Sequence, residues 1–370
     1  MMLLTPAAKV HASGVVMCVA LTICASNFHD RGGASFLASL VFAGVAYLVA
    51  IRELFSTPAF PRKTLVVGLV FAAVWHVPFL LAPTGVDDDI HRYVWDGRLQ
   101  RFGLSPYEIV PSDPAVRGLH ISETRNLNNP DVPSPYPAGA QLFFRAVTTV
   151  SESTSALKVA FVLCEAAIIL LLLHALRCEK RGAHLVLVYA WNPLLAIEVA
   201  GSGHVDIVGA LLLLVSFIAL GRRWTPTAAV TFGLAVSIKL LPIVLLPMYW
   251  KRVRWRDAAL GASIVGLLYL PFIKFGYVPT GSLGTYVQSF RFNAPVFAEL
   301  ERVVAPQYIA GMAILVGLVT ATWLRRASSG WYPDGFSWPM AASLLCAPVV
   351  YPWYLIWLLP FVRSASTLPI

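Results

Sequence analysis

The sequence predicts an all-α, polytopic membrane protein of about 10–12 transmembrane helices, built as one integral unit over residues 1–370. Three observations predict it. Hydrophobic residues make up 58% of the chain and charged residues only 13%, about half the charge of an ordinary soluble domain. The apolar residues fall in continuous runs such as "SFLASLVFAGVAYLVAI" and "DIVGALLLLVSFIAL", which approach the ~20 residues a bilayer-crossing helix needs. Membrane barrel strands would alternate instead, so the spans are helices. The net charge of +9 sits in short clusters between the runs: Arg62-Lys63, "RCEKR" at 177–181, Arg222-Arg223, "KRVRWR" at 251–256 and Arg325-Arg326. That is positive-inside bias, and no nucleic-acid partner is expected.

In chain order, spans are expected at 13–28, 35–51, 64–82, 155–176, 183–200, 205–220, 257–273 and 306–324. Ile23 is too large to precede a lipoprotein cleavage cysteine at Cys24, so the first run reads as a retained span. The stretch 226–249 has basic clusters at both ends and Lys239 in its middle. Two short helices meeting near "KLLP" would keep both clusters on one side of the membrane. The stretch 337–363 should break at Pro348 and Pro352. With the N-terminus inside, 83–154 becomes an external loop with interfacial helices and 274–305 a second external loop. The five cysteines lack metal-ligand spacing and read as small buried hydrophobes. No polar stretch is long enough for an independent nucleotide-binding domain.

The chemistry-bearing residues cluster toward the external side. "GVDDDIHRYVWDG" at 85–97 places Asp87, Asp88 and Asp89 in a row, followed by Arg92, Tyr93 and Asp96. As a helix over 88–99 it carries Asp88, Arg92 and Asp96 on one face, with Val94, Trp95 and Leu99 forming an apolar surface suited to the bilayer interface. Adjacent carboxylates repel, so the triplet needs a cation, a proton or an arginine; Mg²⁺ or Mn²⁺ would suit it without being required. In "WNPLLAIEVAGSGHVDIVG" (191–209), Glu198, His204 and Asp206 gather at the outer end of a helical pair; the bland alternative is a turn with Asp206 as helix cap. Lys239, in an apolar run, is suited to a lipid phosphate, or else snorkels to the cytoplasmic side. Arg291 and Asn293 in "SFRFNAPVF" offer a second phosphate site, or an interfacial arginine. Tyr354 lies in "YPWYLIWLLP", which taken alone is an aromatic belt.

A carboxylate can act as general base on a hydroxyl, and lysine or arginine can stabilise a departing phosphate. Together they fit glycosyl transfer from a phosphate-activated, lipid-linked sugar delivered within the bilayer. G-x-S-x-G, H-E-x-x-H and P-loop patterns are absent from the sequence. The competing reading is a polytopic transporter or flippase of a lipid-linked or anionic substrate, whose site should lie nearer the bilayer midplane.

"DDDIHRYVWDGRLQRFGLSPY" resembles the first external loop of bacterial GT-C glycosyltransferases that use polyprenyl-phosphate sugars. "YPAGAQLFF" is similar to their Y-P-P-x-x-Q segment, with Ala138 in place of the second proline. "WNPLLAIEVAGSGHVD" and "FGLAVSIKLLPIVLLP" resemble stretches of mycobacterial α-1,6-mannosyltransferases and, more distantly, the catalytic subunit of GPI mannosyltransferase I. "RFNAPVF" and "WYLIWLLP" complete a likeness over most of 64–363. The resemblance implies a GT-C fold, an inverting single displacement and a mannosyl donor on polyprenyl phosphate. It implies a glycan or lipid-linked acceptor, a role in cell-envelope synthesis and a bacterial inner membrane with the site facing the periplasm. It also implies that a first-loop aspartate is the base. Asp88 matches the first of the family's pair, Asp89 the second, and Asp87 is extra. His91 stands where tyrosine is usual, which bears on acceptor contacts. Arg92, Tyr93, Asp96, Glu198, His204, Asp206, Lys239, Arg291, Asn293 and Tyr354 are the expected substrate-binding set.

Overall fold

The structure, a computed structural model, describes residues 5–85, 89–125, 127–273, 279–327 and 334–362. Among these residues no strand forms; a single bridge joins Phe292 to Val349. The protein is an all-α polytopic membrane protein. Among the described residues five helices are long and apolar enough to cross a bilayer: α1 (Pro6–Ser26), α2 (Ala34–Ser56), α3 (Arg62–Leu81), α6 (Thr154–Cys178) and α15 (Pro306–Ala327). Between α3 and α6 lie α4 (Ile90–Arg101) and α5 (Ala138–Val150). Helix α1 starts cleanly because Thr5 accepts from the Ala8 amide and Pro6 occupies the first turn. Helix α2 shows the membrane version of amphipathicity. Its buried face carries Ser39, Ala43, Ala46 and Ala50, while Val41, Phe42, Val45 and Leu48 are exposed. Small residues allow close backbone approach, and large apolar ones meet lipid at no hydration cost.

The remaining spans are short or broken. Helices α7 (Val186–Ala190) and α8 (Pro193–Leu195, running on through a π-helical turn to Gly201) form a pair bent by 51°. Asn192 causes the bend: its side chain caps α8 by accepting from the Leu194 amide at 3.0 Å, and Pro193 cannot continue α7. Helix α9 (Asp206–Gly221) is followed by α10 (Thr225–Ile238), whose 14 residues reach only about 21 Å, short of the ~30 Å hydrocarbon core. Lys239 is extended (φ −158°), Pro242 opens a 3₁₀ turn over Leu241–Leu245, and α11 (Leu246–Tyr249) leads back. Lys239 meets the first residue of α9, and Arg325 at the foot of α15 donates to the Pro247 carbonyl at 2.9 Å. The two half-helices thus return the chain to the end it left, as the basic clusters on either side require. Helix α12 (Trp255–Tyr269) precedes α13 (Leu283–Ser289) and α14 (Pro295–Glu301) of the second loop. After α16 (Asp334–Leu345) the chain breaks around Pro348 and Pro352 into 3₁₀ turns at Pro352–Trp357 and Leu359–Phe361.

Helix α4 does not lie on the bilayer interface. Val94, Trp95 and Leu99 are fully buried in protein. The following loop folds back, so that Val116 and Leu127 cover Trp95 and Leu99. Gly97 permits the close crossing with α5: a Cβ there would lie 2.5 Å from Thr148 Oγ1 and 2.7 Å from the Phe144 carbonyl. Gly281 (φ +54°) seats the second loop on the first, where Ser282 donates to the Pro133 carbonyl at 2.7 Å.

Candidate active site

A cavity of about 1710 Å³ is walled by α2, α8, the end of α10, both long loops and the segment Tyr351–Tyr354. One wall is apolar and formed by Phe36, Leu37, Leu40 and Gly44 of α2, a helix whose neighbouring positions face lipid. Opposite it, polar groups converge: Asp89, Glu198, Lys239, Arg31, Tyr136 and Asn128. Asp89 stands at the start of α4, and Lys239 where the short helix α10 ends.

Asp87 and Asp88 lie outside the described residues. Asp89 immediately precedes α4 and has a side chain 25% exposed. Asn128 donates to its Oδ1 at 3.0 Å and the Tyr136 hydroxyl to its Oδ2 at 2.8 Å. Burial, reinforced by Asp89 itself, pushes the Tyr136 phenol well above its usual range, so it remains a donor. Two fixed donors leave the other lone pairs of the carboxylate directed at the cavity.

Glu198 lines the cavity from the π-helical turn. His204 is 1% exposed. Its Nε2 lies 3.2 Å from Glu198 Oε2 and its Nδ1 lies 4.0 Å from Asp89 Oδ2. Neither contact is aligned as a hydrogen bond, and both ring nitrogens and Glu198 Oε2 lack a partner among the described residues. The His204 ring stacks on Trp353 at 3.8 Å, and Trp353 faces the cavity.

Asp206 is not a helix cap. It is fully buried and accepts from Lys239 Nζ at 2.9 and 3.0 Å and from Trp357 Nε1 at 2.7 Å. Lys239 also sits 3.9 Å above the Tyr354 ring, and the Tyr354 hydroxyl meets that of Tyr286. Lys239 therefore reaches the cavity as a neutralised cation with one N–H left over, not as an isolated charge.

Several expected residues are engaged in contacts within the protein. Asp96 is fully buried, bonded by Arg92 Nε at 3.2 Å, Gln141 Nε2 at 2.9 Å and the Ser134 hydroxyl. Burial pushes its carboxyl up, and these three donors oppose the shift. Arg92 touches the cavity, yet its guanidinium is spent on Asp96 and the carbonyls of Asn129 and Val132, which pins the first loop. Three of its five N–H groups are engaged in this way. Tyr93 is buried behind Tyr136, stacked on Phe144. His91 binds the Glu123 carbonyl at 2.6 Å and Thr84 Oγ1 at 3.0 Å, tying α4 to the segments on either side and not lining the cavity. Arg291 is not a phosphate site: all five N–H groups are taken by Glu301 and the carbonyls of Val287, Gln288 and Phe290. Asn293 takes a left-handed turn (φ +46°) with its amide 3.5 Å from the Val350 carbonyl, outside the main cavity.

Other polar residues emerge only from the fold. Tyr136 opens "YPAGAQLFF", a motif without an assigned partner in the sequence, and Asn128 lies upstream in the same loop. Arg31 lines the cavity and donates to Ser202 Oγ at 2.8 Å. Lys158 is buried and caps α3 through the carbonyls of Phe79 and Ala82. His76 and Glu165 pair at 3.1 Å between α3 and α6. Among the described residues no three His, Cys, Asp or Glu side chains converge as a metal site. Two carboxylates of the acidic triplet lie outside those residues, so Mg²⁺ or Mn²⁺ there has no geometry to weigh.

The family model described as "Alpha-(1->6)-mannopyranosyltransferase, N-terminal domain" matches residues 4–253, a span that contains Asp89, Glu198, His204, Asp206 and Lys239. A probable alpha-(1->6)-mannopyranosyltransferase of Mycolicibacterium smegmatis is 22% identical across 80% of this chain and 64% of its own length. An alpha-(1->6)-mannopyranosyltransferase of Mycobacterium tuberculosis is 23% identical across 80% of this chain and 65% of its own. The chain thus spans under two thirds of these relatives. No solved structure matches it.

Proposed function

The chain belongs to the alpha-(1->6)-mannopyranosyltransferase family, and from that premise we propose that it moves a mannosyl group from a polyprenyl-phosphate donor to a hydroxyl of a glycan or lipid-linked acceptor. The observation that carries this reading is the cavity itself. It joins an apolar wall on a lipid-facing helix to a carboxylate held by two donors. A polyprenyl chain lies against Phe36, Leu37 and Leu40, and its phosphate and sugar extend toward Asp89. Asp89 accepts the proton of the acceptor hydroxyl as the new C–O bond forms at C1 and the bond from C1 to the phosphate oxygen breaks. A single displacement inverts C1, so an α-linked product calls for a β-linked donor phosphate. Lys239, held by Asp206, turns its remaining N–H toward the leaving phosphate. Asp88 remains the alternative base by resemblance. The membrane is the bacterial inner membrane, with the cavity facing the periplasm.

The test is to incubate the purified protein with a panel of polyprenyl-phosphate sugars and a mannoside acceptor. Release of free polyprenyl phosphate that depends on both the mannosyl donor and the acceptor supports the reading. Transbilayer movement of donor in vesicles without any release would support the transporter instead.

A further inference from the structure

His204 is an unused basic group in a costly position. It is 1% exposed, both of its ring nitrogens lack an aligned partner, and a buried polar group left in this way is destabilising. It stands between two carboxylates. Asp89 Oδ2 is 4.0 Å from Nδ1, and Glu198 Oε2, itself unpartnered, is 3.2 Å from Nε2. Trp353 stacks flat against the ring, with 10° between the planes, and stands between it and the cavity. Gly203 (φ +75°) fixes the turn, since a Cβ there would meet Ile90 Cδ1 at 2.4 Å. The ring is thus held in plane and covered by Trp353, with one carboxylate near each nitrogen.

We propose that His204 is a proton-relay residue that returns Asp89 to its charged form after each transfer, with Glu198 as the exit. This rests on Asp89 being the base. An imidazole can take a proton at one nitrogen while giving one up at the other. The acceptor's O–H bond breaks and Asp89 becomes protonated. Asp89 passes that proton to Nδ1, while the proton on Nε2 moves to Glu198. Glu198 lines the cavity and releases it to water or to the departing phosphate. The ring is left with its proton on Nδ1; after product leaves, that proton passes to water admitted beside Asp89 while Glu198 takes a proton from water and returns it to Nε2, so the starting tautomer is restored with Asp89 and Glu198 both ionised. The 4.0 Å gap closes with a carboxylate shift of about 1 Å, as catalytic hydrogen bonds commonly do when substrate binds. His204 does not touch substrate, so it acts on turnover and not on donor binding.

The test compares His204→Gln and His204→Ala in the full-length protein with a polyprenyl-phosphate mannose donor. His204→Gln keeps a planar group against Trp353 and an N–H donor but cannot turn a proton over. It is expected to lower kcat about 10²-fold with donor KM unchanged. In His204→Ala, added imidazole is expected to restore turnover, and pyrazole, of the same shape but far less basic, is not. Wild-type kcat in His204→Gln would overturn the relay, as would equal recovery with both azoles or none with imidazole. Asp89→Asn separates the two readings. If Asp89→Asn turns over normally, the base assignment has failed; if it is inactive while His204→Gln is fast, the relay alone has failed.

Discussion

Lys239 Nζ lies 2.9 and 3.0 Å from the two carboxylate oxygens of Asp206, 33 residues away in sequence. The Asp206 side of the pair is sealed, with Trp357 Nε1 donating at 2.7 Å, while the Lys239 side opens on the cavity. Lys239→Met would strand a buried carboxylate and is expected to cost about 3–5 kcal/mol of stability. Asp206→Asn in the same chain should recover much of that, read by thermal unfolding in detergent. Donor affinity in the double variant isolates the phosphate contact. It should remain weaker than wild type; wild-type affinity there would leave Lys239 a purely structural partner.

The α2 wall can be filled without disturbing the fold. Nothing lies within 4 Å of a Cβ placed on Gly44, yet Gly44 lines the cavity. Gly44→Phe should raise KM for a long-chain polyprenyl donor about tenfold, equivalent to about 1.4 kcal/mol. A short-chain analogue should be unaffected. Equal effects on both donors would place the lipid elsewhere.

Gly209 is the opposite case. A Cβ there would fall 1.9 Å from Trp357 Cη2. Gly209→Ala is expected to displace the indole, remove its hydrogen bond to Asp206 and destabilise by about 1–3 kcal/mol from overpacking. A Tm equal to wild type would show that Trp357 is not needed to hold the Asp206–Lys239 pair.

The second loop should respond to acid. Hydrogen bonding by Arg291 holds the Glu301 carboxyl below its usual value of 4.5. A carboxyl with a depressed folded value stabilises above its unfolded value, and that contribution is lost as pH falls through the lower, folded one. Proteolysis between 283 and 301 should therefore be suppressed above about pH 4.5 and rise below it. Glu301→Gln should show the higher rate at both pH values, while donor KM at neutral pH stays near wild type.

Much of the fold was legible because it rests on local signals. The break at Lys239–Pro242 followed from basic clusters at both ends of one apolar stretch, and that at Pro348–Pro352 from proline. The Arg92–Asp96 contact followed from i, i+4 spacing. Its burial did not, because it depends on the loop segment carrying Val116 and Leu127 folding back over α4. The same limit governed the site. Tyr136 and Asn128 meet Asp89 across 47 and 39 residues, and no spacing rule spans such distances. Arg291 looked available for phosphate until Glu301, ten residues on, was seen to fill its fork. Hydropathy marked Lys239 as expensive but could not name Asp206 as its partner.

The decisive measurement is single-turnover release of polyprenyl phosphate by Asp87→Asn, Asp88→Asn and Asp89→Asn, each with donor affinity determined alongside. Asparagine keeps the shape and loses the base. Asp89→Asn should bind donor normally and turn over about 10²–10⁴ times more slowly, the range expected when a general base is removed. Asp87→Asn and Asp88→Asn should each retain substantially more activity than Asp89→Asn. Undiminished turnover by Asp89→Asn, with loss of activity in Asp88→Asn instead, would move the base to Asp88; undiminished turnover by all three would contradict acid–base glycosyl transfer at this cavity altogether.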